Sequence, residues 1–71
     1  MNDTTDILTA VDSPDPGVGL RAVVALRRLA DQMEAQHVFR ARLAGWSWQD
    51  IGDALGVTRQ AAHKKHGGRR V

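Results

Sequence analysis

Between Leu20 and Ala44 apolar positions recur at helical spacing, and no Gly or Pro interrupts them. The run predicts one helix of about 25 residues. Ala22, Leu26, Leu29 and Met33 follow a four-three-four spacing, with Val23 and Ala30 beside them. A second apolar group, Ala35, Val38 and Phe39, falls on a different face of the C-terminal half. Beyond Ala44 the long pattern gives way to two short segments, each opened by a capping residue and closed by glycine.

Ser47 is the first cap. Its hydroxyl can accept from an amide two or three residues on, and Asp50 stands where a capping box places its acid. Trp46, just before the cap, is placed to staple against Ile51 and to join the core. A helix is expected from Trp48 to about Leu55, ended by Gly56, which accepts a left-handed exit. Thr58 is the second cap, with Val57 placed to meet Ala62. The second helix is expected from Arg59 to about His66, stopped by Gly67-Gly68. Gly52 lies inside the first of these helices, where glycine costs about 1 kcal/mol relative to alanine. Close passage of the second helix, with Ala62 facing back toward Gly52, is the expected reason. Ile51, Leu55 and Val57 supply the other apolar contacts.

At Ser47–His66 the chain resembles the helix-turn-helix segment of bacterial sigma-factor region 4 and of small homeodomain-like regulators, and Ala41–Trp46 follows the pattern loosely. Gly52 falls on the small-residue position, Gly56 on the turn glycine and Ala62 on the buried position of the recognition helix. The resemblance implies that Thr58, Arg59, Gln60, His63 and Lys64 face DNA. Ala62 is smaller than the usual Val or Ile, and His66 stands where such proteins often place an apolar residue.

Charge sharpens this picture. Residues 1–20 carry Asp3, Asp6, Asp12 and Asp15 and no Lys or Arg, a charge of −4. Residues 21–71 carry ten basic and four acidic residues, a charge of +6, so the whole chain is +2. From Gly56 onward Arg59, Lys64, Lys65, Arg69 and Arg70 are unopposed by any acid. A basic helix with a basic tail is the footprint of a phosphate-binding surface.

The 71 residues include no cysteine, so no disulfide or thiolate metal site supports the fold. One small domain is expected, near the lower limit for burying its own core. No apolar run approaches the roughly 20 residues that span a bilayer. No basic residue precedes the N-terminal apolar stretch, so no signal peptide is expected, and the expected location is cytoplasmic, at the nucleoid. Eight arginines to two lysines, with frequent alanine, suit a GC-rich bacterial genome. His63 and His66 share a helix three residues apart but have no Cys or suitably placed acid to complete a metal site. No nucleophile–base pair, phosphate-binding glycine loop or paired carboxylate occurs. Neither an enzyme nor a cofactor or metal is expected.

The expected fold is all-α: an acidic, unstructured arm over residues 1–19, a long helix over 20–44, a helix-turn-helix over 45–68 and a basic tail over 69–71. The expected function is sequence-specific binding of double-stranded DNA in transcriptional regulation. Lys64, Lys65, Arg69 and Arg70 would contact phosphates, while Arg59 and Gln60 would read bases. Ala22, Val23, Leu26, Leu29, Ala30 and Met33 form a stripe expected to hold a homodimer or another protein. The alternative is an interaction adaptor, antitoxin-like or associated with a sigma factor or polymerase, using that stripe or the acidic arm.

Overall fold

A computed structural model describes residues 3–68. The fold is all-α: α1 (Asp3–Val11), α2 (Pro16–Leu43), α3 (Trp48–Leu55) and α4 (Arg59–His66), with no strand among the described residues. Two compact units divide at Met33–Glu34, within α2.

The first unit departs from the sequence reading. Residues 3–11, expected to be unstructured, form α1, and α2 starts at Pro16 rather than Leu20. The cause is local. The Asp15 carboxylate accepts from the Gly17 amide at 2.8 Å and the Val18 amide at 3.4 Å. Pro16 then occupies the first helical position, where its missing N–H costs nothing and its fixed φ suits the helix. The Ser13–Gly17 segment is therefore a helix start as well as a turn. The stripe is also less bare than expected. Ala22 is buried, Val23, Leu26 and Leu29 are half-buried, and only Ala30 and Met33 of the six are exposed.

The second unit contains the C-terminal half of α2 with α3 and α4. Helix α2 ends as the Schellman pattern requires. Gly45 takes φ +90°, its amide donates to the Arg42 carbonyl at 3.0 Å, and the Trp46 amide donates to the Ala41 carbonyl at 2.9 Å. Helix α3 repeats the device. Gly56 takes φ +73°, its amide donates to Asp53 at 3.3 Å, and the Val57 amide donates to Gly52 at 2.9 Å. Both helix starts form as the sequence predicts. The Ser47 hydroxyl accepts from the Asp50 amide at 3.0 Å while the Ser47 amide donates to the Asp50 carboxylate at 3.2 Å, closing the capping box. The Thr58 hydroxyl accepts from the Ala61 amide at 3.0 Å.

One residue from each of the three helices makes the core: Val38, Ile51 and Ala62, with Ala41 and Trp48 packed against it. Several expected core residues are not there. Trp46 is 44 % exposed and is not part of the core. Leu55 and Val57 are also exposed. Helices of only eight residues present a narrow inward face, which Ile51 and Gly52 fill on α3 and Ala62 and His66 fill on α4.

Gly52 is buried, but its close neighbour is the turn backbone, not Ala62. A Cβ at Gly52 would lie 2.9 Å from the Val57 carbonyl oxygen and 3.1 Å from both the carbonyl carbon and oxygen of Thr58. These atoms belong to the turn that sets α4, so they cannot swing aside as a side chain would. Gly52→Ala is therefore expected to lower stability by about 1–3 kcal/mol, outweighing the helix propensity it gains. Thermal unfolding followed by circular dichroism checks this. An equal or higher melting temperature would show that the turn yields.

Candidate nucleic-acid interface

The geometry of α4 follows from its most deeply buried residue. Ala62 is 1 % exposed and faces the core. At about 100° per residue, Gln60 and Lys64 lie about 160° from it and His63 about 100°. Arg59, Gln60, His63 and Lys64 are all exposed. Thr58 is exposed too, but its hydroxyl oxygen is already engaged by the cap. Arg69 and Arg70 lie outside the described residues.

A stack of three side chains supports this surface from the side. The Arg42 guanidinium donates to the Trp46 carbonyl at 2.8 Å and lies 4.9 Å from the Trp48 ring centroid. His63 meets Trp48 edge-on, with centroids 5.1 Å apart and planes at 87°. Trp48 thus packs on the core cluster with one part and holds His63 with another. Cation–π and edge-to-face contacts of this kind each contribute about 0.5–1.5 kcal/mol. They fix the direction of His63 as it leaves α4. Phe39, Leu43, Trp48 and His63 line an open groove between α2 and α4.

Lys65 is placed differently from Lys64. Its ammonium lies 3.1 Å from the Glu34 carboxylate of α2. The same carboxylate oxygen is 2.6 Å from His66 Nε2. A carboxylate only accepts, so His66 Nε2 carries the proton of this bond. The imidazole side chain is 2 % exposed, and its Nδ1 has no hydrogen-bond partner. The hydrogen bond from His66 holds the Glu34 carboxyl below the usual carboxylate range. Burial opposes that shift, and Lys65 adds to it. The apolar residue expected at position 66 is thus replaced by a buried polar clasp between α4 and α2. Glu34 carries no motif that would announce it, and its partners are 31 and 32 residues away.

No group of three or more His, Cys, Asp or Glu side chains among the described residues is placed to hold a metal. No helix among them is long and apolar enough to cross a membrane.

No family model matches the chain, and no solved structure does. Similarity to curated proteins is confined to part of it. An uncharacterized protein of Mycobacterium bovis is 48 % identical over 40 residues, which cover 56 % of this chain and 16 % of that protein. Uncharacterized proteins from two strains of Mycobacterium tuberculosis match over the same length and at the same identity. The matched stretch thus covers about one sixth of each of these relatives.

Proposed function

We propose that the second unit is a helix-turn-helix module that binds double-stranded DNA in a sequence-specific way and serves transcriptional regulation. The observation that carries this is the pairing of α3 and α4. Two capped eight-residue helices are joined by a left-handed glycine turn, with Ala62 turned inward, Gln60 and Lys64 turned out, and Arg59 and His63 exposed on the flanks. A helix of this kind fits a major groove when its partner helix crosses the backbone. Lys64 serves as a phosphate contact, joined by Arg69 and Arg70. Arg59 suits guanine and Gln60 suits adenine by bidentate hydrogen bonding. Only Ala30 and Met33 remain exposed of the residues expected at a dimer seam, so self-association is not part of the proposal.

The test is duplex selection from a random pool, followed by titration of the selected site and of random DNA. Lys64→Ala is expected to weaken both and to flatten the log–log salt dependence by about 0.9. Arg59→Ala or Gln60→Ala is expected to cost about 1–3 kcal/mol on the selected site and much less on random DNA. Equal losses on both DNAs for all three variants would overturn the division of roles. Stable capture of one protein with no duplex affinity at any salt would replace DNA binding with the adaptor reading.

A further inference from the structure

Resting on that reading, we propose that Glu34 masks a cation of α4 and so limits the sequence-independent part of its DNA affinity. It neutralises Lys65 and holds it off the outer face of α4, so that a charge blind to sequence does not join the residues that read bases.

Helix α4 contains three formal cations, Arg59, Lys64 and Lys65, and no acid of its own. A carboxylate from α2 is paired with a lysine of this helix. Glu34 lies 3.1 Å from the Lys65 ammonium and 2.6 Å from His66 Nε2. Both donors converge on the same oxygen, Oε2. The pair is anchored on its inner side, because the His66 ring is buried and Glu34 is itself only 24 % exposed. It is open on its outer side, where the Lys65 side chain is 52 % exposed. Position matters as much as charge. Lys65 sits about 60° from Ala62 around the helix, on the inward flank, whereas Lys64 and Gln60 sit about 160° away. The two adjacent lysines are therefore not equivalent. Lys64 projects outward, and Lys65 is turned toward α2 and matched by a carboxylate.

A lysine free to meet phosphate strengthens binding to every sequence alike, because phosphate contacts carry no base information. Adding one raises affinity for random DNA as much as for the preferred site, and the random sites are far more numerous. Retaining Lys65 while cancelling its charge keeps the clasp that secures the last turn of α4 and limits sequence-blind affinity. The occurrence of His66 at a buried position fits this role. It fixes the Glu34 carboxylate against α4, so that Lys65 meets a positioned acceptor rather than a mobile one.

The test compares Lys64→Ala, Lys65→Ala, Glu34→Gln and Glu34→Gln with Lys65→Ala, in the full chain, on random duplex and on the selected site. Lys65→Ala is expected to change random-duplex affinity less than twofold, whereas Lys64→Ala loses roughly five- to tenfold at low salt. Glu34→Gln keeps an amide oxygen for the His66 N–H and removes the charge. It is expected to raise random-duplex affinity roughly five- to tenfold and to steepen the salt slope by about 0.9, with a similar gain on the selected site. The double variant is expected to return to the wild-type slope. Equal losses for Lys64→Ala and Lys65→Ala, or an unchanged slope in Glu34→Gln, would overturn the proposal. A separate measurement needs no DNA: acylation of the Lys65 amine, read by mass spectrometry, is expected to quicken several-fold in Glu34→Gln. If the wild type binds no duplex, the DNA reading fails and this role of Glu34 falls with it. The acylation rates then still decide whether Glu34 holds Lys65.

Discussion

Ile51→Ala is expected to unfold the second unit under conditions in which the native chain is folded. Ile51 is 2 % exposed and is the largest apolar side chain in a core otherwise made by Val38 and Ala62. Truncating a buried isoleucine to alanine costs about 2–5 kcal/mol, from lost transfer energy and from the cavity left behind. At about 0.05–0.15 kcal/mol per residue, a unit of roughly 40 residues holds only about 2–6 kcal/mol in total. The loss therefore approaches the whole stability. Relaxation of neighbours offers little relief, because α3 is tied to α4 by its glycine turn and to its own start by the capping box. Urea titration followed by tryptophan fluorescence gives a direct measure, since Trp48 packs against the same cluster. Native-like stability in the variant would mean that the three helices are held by something other than this core.

Removing the clasp acid outright is the second large effect. Glu34→Ala leaves the buried His66 ring with no partner at either nitrogen, where now only Nδ1 lacks one. An orphaned buried polar group costs about 1–3 kcal/mol, so a loss near the upper end is expected once the ion pair with Lys65 is included. Glu34→Gln is expected to lose much less, because its amide oxygen still accepts from Nε2. The pH dependence has a definite sign. The folded-state carboxyl of Glu34 is held below its ordinary value. Its contribution is therefore fully present above the unfolded-state carboxylate range and is lost as pH falls through the lower folded value. Acid titration of the melting temperature is expected to drop less steeply in Glu34→Gln than in the native chain. A parallel decline in the two proteins would remove Glu34 from the acid response.

The parts of this fold legible in the sequence are those coded by neighbours. Ser47 with Asp50, Thr58, Gly56 and Gly67 fix α3 and α4 to the residue, because caps and the left-handed exit at Gly56 act within one turn of chain. Composition alone made residues 1–19 look unstructured, yet Asp15-Pro16 is itself a cap followed by a proline at the first helical position. Exposure was harder to read. Trp46 is large and apolar and precedes a cap, but it follows the left-handed Gly45, and the residue remains 44 % exposed. The reason for Gly52 was legible as crowding, though the crowding atoms are turn backbone rather than Ala62. In the candidate interface, Arg59, Gln60, His63 and Lys64 are exposed as expected, while Lys65 is bound to Glu34. Such a pairing has no local signature.

The length of chain enclosed by the Glu34–His66 clasp also orders the events of folding. Joining two points 32 residues apart in a flexible chain costs about 3 kcal/mol in loop entropy. Local contacts carry no such charge, and α3 with its turn and α4 is built almost entirely from them. The α3–α4 hairpin can therefore assemble early, on the microsecond scale of helix formation, and its assembly shortens the effective loop that the clasp must close. The clasp, which closes the longer loop, is expected to form later, when α2 docks. Interactions that form after the folding barrier act mainly by slowing unfolding. His66 and Glu34 accordingly govern how long the last turn of α4 remains seated, whereas the glycines and caps govern how quickly it is made.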